Sequence, residues 1–192
     1  MTRRSRVARS VALIAAVVLM AGCSDIGGTG DLDYVPGDGQ VIEVAKGDRE
    51  DPVDFAGTTV QGDALDVTDL RGKVVVLNVW WSGCGPCRTE MPMLVDTEAE
   101  VDADEVAFVG INIRDLAPEN AAAFERDRGV EYPSLYDPGS ETLLRLGKFS
   151  PHATPATILL DKDGRVAALI NGPIPSKSTL STLIDDTLAE SD

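Results

Sequence analysis

Residues 73–80 read KVVVLNVW, an almost continuous apolar, β-branched run, and four residues after Trp80 comes Cys84-Gly85-Pro86-Cys87. A strand apolar on both sides has to be covered on both sides, which calls for a layered α/β arrangement with this strand near the middle of its sheet. A second run of the same kind spans residues 106–113. With 192 residues the chain has room for one ordinary domain plus appendages, and enough of it to bury a self-sufficient core.

The segments between and beyond these strands fill in the pattern. Residues 53–60 and 64–67 read as a small hairpin around Gln61-Gly62-Asp63. Residues 86–100 have helical character despite Pro92, and Pro118 opens a helix that runs to Arg128 and closes at Gly129. A short strand at 132–137 ends in Pro138-Gly139. Ser140 is placed to cap a helix over 141–146 that stops at Gly147. Strands at 156–160 and 166–170 flank the hairpin signal Asp163-Gly164. A last amphipathic helix starts at Ser176 or Ser178 and carries Leu180, Leu183, Ile184 and Leu188 on one stripe. The order β, α, β, α, β, α, β, β, α belongs to an α/β domain with a central mixed sheet flanked by helices.

The N-terminus has a different character. Arg3, Arg4, Arg6 and Arg9 precede an apolar run from Val11 to Met20, which ends in Ala21, Gly22 and Cys23. That is the layout of an export signal, and the run falls short of the roughly 20 apolar residues a membrane-spanning helix needs. Leu19-Met20-Ala21-Gly22-Cys23 resembles a bacterial lipoprotein box, in which the chain is cut before the cysteine and that thiol carries lipid. Residues 1–22 are then a signal peptide, residues 23–50 a lipid-anchored, Gly-rich flexible tether in which the apolar cluster Val41 to Val44 leaves a short strand open, and residues 51–192 the folded domain. Export implies a disulfide-permissive compartment on the outer face of the cell membrane. Loss of the four signal arginines from the 17 basic residues leaves 13 against 32 acids. This balance argues against nucleic acid as a partner and against an electrostatic grip on anionic lipid.

Cysteine usage narrows the chemistry. With Cys23 in the anchor, only Cys84 and Cys87 remain, so a structural disulfide framework is excluded. Both lie just after a buried strand, at the start of a helix. A thiolate there faces unpaired backbone N–H groups and the positive end of the helix dipole, which lowers its pKa below about 8.5 and makes it the attacking species in exchange. Residues three apart in a helical turn have β-carbons about 5–6 Å apart, near the ~3.8 Å a disulfide prefers. Gly85 relieves crowding, and Pro86 suits a first turn that needs no donor N–H. Cys84, nearer the helix end, attacks; Cys87, one turn inward, resolves. A loop this short gains little from cross-linking, so the bond is a switch and a poor staple.

The CGPC sequence with its flanks, the run Cys87-Arg88-Thr89-Glu90-Met91-Pro92, the strand VVVLNVW and TPATILLDKDGRV resemble the thioredoxin superfamily, specifically its TlpA/ResA-like membrane-tethered thiol-disulfide oxidoreductases. The resemblance spans about residues 50–190 and implies a thioredoxin-like fold with an inserted strand-helix unit around residues 111–136. It implies a cis bond at Thr154-Pro155 beside the disulfide, with the backbone of Thr154 pairing with an extended substrate. Trp81, Gly85 and Pro86 complete the implied substrate surface. Glu90 matches an acid that tunes the cysteine pair: a carboxylate near both sulfurs can take the proton from Cys87. The plainer reading of Glu90 is a solvated helix acid. Three departures stand out. Gly83 occupies the usual place of a Trp and leaves that face open, Trp81 replaces a small residue, and Asn78 stands where thioredoxin has a buried acid.

The implied activity is exchange with the thiols or disulfides of partner proteins by a monomer without a bound cofactor or metal. A Gly-Pro centre resembles the reducing members, with potentials near about −270 mV as against about −120 mV for strong oxidants. Exported relatives of this kind serve cytochrome c maturation or other secreted-protein thiols. A disulfide-forming oxidase is the nearest alternative. A copper(I) carrier would use Cys84, Cys87 and His152 or Met91. A structural zinc site wants four ligands, and His152 is the single histidine. A thiol peroxidase normally has Thr or Ser three residues before its reactive cysteine, where this chain has Trp81.

Overall fold

Strand β4 (Val74–Trp80) is buried at all seven positions and is hydrogen-bonded along both edges, to β5 (Val106–Asn112) in parallel and to β7 (Ala156–Leu160) antiparallel. In this computed structural model, residues 40–190 are described. The export signal, Cys23 and the greater part of the expected tether lie outside the described residues. The sheet is completed by β6 (Ser134–Tyr136), parallel to β5, by β8 (Val166–Asn171), antiparallel to β7, and by β1 (Val41–Glu43), antiparallel to β8. Its order is β1-β8-β7-β4-β5-β6, a mixed six-stranded sheet, and β2 (Ala56–Thr58) and β3 (Ala64–Asp66) form a separate hairpin.

The alternation of side chains along β4 divides the core in two. Val74, Val76 and Trp80 enter the cluster built with Met91 and Leu94 of α1 (Gly85–Glu98), Phe124 of α2 (Pro118–Arg128), and Leu180, Leu183 and Ile184 of α3 (Lys177–Ala189). Val75, Leu77 and Val79 enter the opposite cluster with Val53, Phe55, Val67, Leu146 and Phe149. Three α-helices therefore cover one face. The other is covered by extended chain and by short 3-10 segments at Val67–Leu70 and Thr142–Phe149. The Trp80 indole stacks on Phe124 with ring centroids 4.8 Å apart, joining the central strand to the inserted α2–β6 unit.

Several local signals act as expected. Pro118 stands in the first turn of α2, Gly129 closes it in the left-handed conformation at φ 68°, and the Ser176 hydroxyl caps α3 by accepting the Thr179 N–H at 3.1 Å. Two expectations are corrected. The tether does not extend to residue 50, because β1 is paired in the sheet and Arg49, 8% exposed, forms an ion pair with Asp161 at 2.9 Å. The few apolar residues at Val41 and Val44 suffice because each covers an edge of the core. Ser140 does not cap the segment after β6. It has φ 60°, and the carboxylate of Asp137 instead accepts the N–H groups of Glu141 (2.9 Å) and Thr142 (2.7 Å), with a 3-10 rather than an α-helix following.

Gly110 in the middle of β5 lies where the core leaves no room for a side chain. A β-carbon there would stand 2.1 Å from Ser134 Oγ and 2.7 Å from Trp80 Nε1, on a backbone held between β4 and β6. Gly110→Ala should lower stability by about 1–3 kcal/mol through overpacking. The change should appear in urea unfolding as a shift of midpoint with the slope unaltered.

Candidate functional site

Strand β4 delivers the chain to Trp80 at its C-terminal end, and residues 81–83 turn it into α1. The Cys84 N–H donates to the Trp81 carbonyl at 3.1 Å. Cys84 itself is the N-cap of the helix, with extended dihedrals, and its Sγ accepts the N–H of Cys87 at 3.2 Å. Cys84 and Cys87 are joined as a disulfide with their Cα atoms 5.2 Å apart. Pro86 lies in the first turn, where its missing N–H costs nothing. Cys84 is 5% exposed and Cys87 is fully buried, while Gly85 and Pro86 between them are exposed. Only the first sulfur therefore faces a route to another protein. Once reduced, its thiolate rests at the positive end of a fourteen-residue helix.

The face beside Gly83 is not open. A β-carbon on Gly83 would lie 2.2 Å from Cζ3 of Trp81, so the indole of Trp81 lies against the glycine and fills the space next to the first cysteine. The Trp81 ring supplies an aromatic wall at this flank. Trp81 is half-buried and packs against both core clusters. Positions 81 and 83 are thus sterically coupled: a large ring at one requires no side chain at the other.

Glu90 is not a solvated acid. It is 5% exposed, with Oε1 accepting from Asn78 Nδ2 at 3.1 Å and Oε2 accepting from the Ile174 N–H at 3.1 Å. Burial pushes its pKa up to about 7, against the opposing effect of those two hydrogen bonds. Asn78 and Glu90, picked out separately in the sequence, meet across the β4–α1 interface. The Asn78 Oδ1 has no hydrogen-bond partner, so a half-turn of that amide offers an acceptor to a protonated Glu90.

Thr154-Pro155 is a cis peptide, and Pro155 is buried while Thr154 is half-exposed. Ala156, the next residue, pairs with Val79, so the cis bond lies at the same end of the sheet as the Trp80–Cys84 turn. His152 is an exposed loop residue whose N–H donates to Asn171 Oδ1 at 3.0 Å. Among the described residues no three His, Cys, Asp or Glu side chains are grouped to hold a metal ion.

Asp115 was not legible as a site residue. In sequence it is an acid after an apolar strand and three residues before a helix, which suggests a cap. In the fold its carboxylate accepts from the Ser82 N–H (2.9 Å), the Ser82 hydroxyl (2.5 Å) and Asn112 Nδ2 (2.8 Å), and it is 4% exposed. It fixes the turn two residues before Cys84 from a position 33 residues downstream. Arg88 adds a second tie, donating from Nη1 to the Ser82 carbonyl at 3.3 Å. Pro92 has no N–H to offer the Arg88 carbonyl, and that carbonyl accepts instead from Arg128 Nη1 at 3.4 Å.

Comparisons with known proteins agree with this geometry. The Redoxin family pattern matches residues 44–184. Thiol-disulfide oxidoreductase ResA of Bacillus thuringiensis is 30% identical over 120 residues, a match spanning 62% of this chain and 66% of the length of that relative. Among solved structures, a DsbF homologue from Corynebacterium diphtheriae is 34% identical with a TM-score of 0.73, over 80% of this chain and 96% of the other. A secreted thiol-disulfide isomerase from Corynebacterium glutamicum is 33% identical with a TM-score of 0.70, over 79% and 96%.

The environment of Glu90 gives stability a pH dependence. The unfolded chain ionises this carboxyl near 4.5 and the folded chain near 7, so the folded state holds its proton more tightly. The stabilisation is complete below about pH 4.5 and is lost as pH rises toward 7, on the order of 3 kcal/mol in all. Glu90→Gln keeps a neutral group of the same shape. Relative to the natural protein it should gain stability between pH 4 and pH 8 by that order, measured as the difference between paired urea titrations. A difference that does not change with pH would contradict the assignment.

Proposed function

The chain belongs to the Redoxin family, and on that premise we propose that it is an extracytoplasmic thiol-disulfide oxidoreductase that reduces the disulfides of partner proteins through Cys84 and Cys87. The observation that carries this reading is the disulfide at the N-cap of α1, with Cys84 retaining slight exposure (5%) beside the exposed Gly85 and Pro86 while Cys87 is fully buried. In the reduced protein the Cys84 thiolate attacks one sulfur of a client disulfide. A mixed disulfide forms and one client thiolate leaves. Cys87 then attacks Cys84 Sγ, which releases the second client thiolate and restores the internal disulfide. Two electrons pass to the client in each cycle, and a dithiol partner supplies them again.

Glu90, one turn beyond Cys87 on the same buried face, takes the Cys87 proton during resolution. A carboxyl titrating near 7 can both accept and return a proton at neutral pH. Trp81, Gly85, Pro86 and Thr154 form the surface met by the client, with Pro155 setting the turn beside it. The Gly-Pro centre supports a reductant, since the comparable centre of thioredoxin has a potential near about −270 mV. The N-terminal signal and Cys23 support attachment by lipid to the outer face of the cell membrane, where several acyl chains contribute about 0.8 kcal/mol for each buried methylene.

Two substitutions test the division of labour. Cys87→Ala should accumulate clients as mixed disulfides on Cys84 that dithiothreitol releases, and Cys84→Ala should trap none; equal trapping by both would reverse the roles. Cys23→Ala should move the protein from the membrane fraction to the soluble one, and unchanged retention would remove the anchor from the account.

A further inference from the structure

Past the end of β5 the chain makes a turn that local preferences oppose. The Asp115 N–H donates to the Ile113 carbonyl at 2.8 Å, and Arg114 between them takes φ 61°, a left-handed conformation disfavoured for a residue with a β-carbon. The turn is held by Asp115, through its three side-chain bonds to Ser82 and Asn112 and through its carbonyl, which accepts the Tyr136 hydroxyl at 2.9 Å. Because Asp115 points inward, its neighbours point outward. Leu116 is 95% exposed, against 76% for Leu144 and 40% for Ile42, the other large apolar side chains exposed among the described residues. A leucine held out in water by a strained turn, which Asp115 anchors to the Ser82 turn two residues before the disulfide, is out of keeping with packing alone.

The same rim carries positive charge. Arg114 is exposed beside Leu116, and Arg88 is exposed on α1, with its guanidinium at the Ser82 carbonyl and 5.4 Å from the centroid of the Phe124 ring. Among the described residues neither has a carboxylate within ion-pair distance, whereas Arg128 nearby is paired with Asp127 at 3.3 Å. The chain as a whole has 32 acidic and 17 basic residues, so most of its surface repels an acidic segment and this rim attracts one.

We infer that Leu116, Arg114 and Arg88 form a docking surface for an extended acidic segment of the client protein that carries an apolar residue beside its disulfide. The inference rests on the thiol-exchange reading. Leu116 supplies the apolar contact, and the two guanidinium groups supply orientation and rate of encounter. Asp115 ties the surface to the turn that precedes Cys84, so a client seated on it meets the reactive sulfur in a fixed register.

The test uses the reduced full-length chain and three disulfides: uncharged hydroxyethyl disulfide, and two model peptides with a disulfide flanked by Leu and either Asp or Lys. At low salt the acidic peptide should react about tenfold faster than the basic one, and the ratio should shrink as ionic strength rises. Arg114→Gly removes one of the two charges while suiting the left-handed backbone, and should cut the ratio about threefold. Leu116→Ser should slow both peptides relative to hydroxyethyl disulfide by about three- to tenfold. A ratio near one in the natural protein, or a ratio unchanged by Arg114→Gly, would overturn the surface while leaving the exchange reading intact. No reaction with any of the three, hydroxyethyl disulfide included, would count against exchange itself and remove the surface with it.

Discussion

The burial and double-edged pairing of β4 is the constraint from which the site follows. With β5 parallel on one edge and β7 antiparallel on the other, three chain segments are brought to one end of the sheet: the turn into α1, the turn after β5, and the cis Thr154-Pro155. In parallel sheets such C-terminal ends are where loops converge and ligands are met. The strand itself needs no unusual residue except Asn78, and that one is turned to account by Glu90.

At that end the cysteine pair is placed by backbone geometry more than by side-chain contacts. The N-cap conformation of Cys84, the first-turn proline and the Cys87 N–H directed at Sγ are all properties of a helix beginning at that point. What side chains add is support around it. Asp115 fixes the approach to the helix, Trp81 fills the flank, and Glu90 sits behind as a carboxyl balanced between its two states near neutrality. Burial likewise pushes the Glu125 carboxyl and the Tyr132 hydroxyl up from their ordinary values.

Much of this was legible in the residues because it is local. The apolar runs, Pro118 and Gly129 around α2, the Asp163-Gly164 hairpin and the Cys84–Cys87 spacing each act within a few residues, and each appears where expected. The misses are long-range. The pairing of β1 with β8 depends on residues about 130 positions away, which is why the residues near Val41 to Val44 offered a strand only as an alternative to tether and Arg49 read as tether. The role of Asp115 depends on Ser82, and the meaning of Gly83 depends on where the Trp81 ring goes. Asp137 displaced Ser140 as a cap because both N–H groups of the next turn lay within reach of one carboxylate.

A reversible dithiol couple at the head of α1, reachable through Cys84, is the claim on which the rest stands. Its most direct measurement is the redox equilibrium of the purified chain against graded dithiothreitol buffers, following the thiol content of Cys84 and Cys87. The account predicts one two-electron transition with a midpoint well below about −200 mV, absent when either cysteine is replaced. A disulfide that stays closed across the whole range, or a midpoint near about −120 mV, would contradict it.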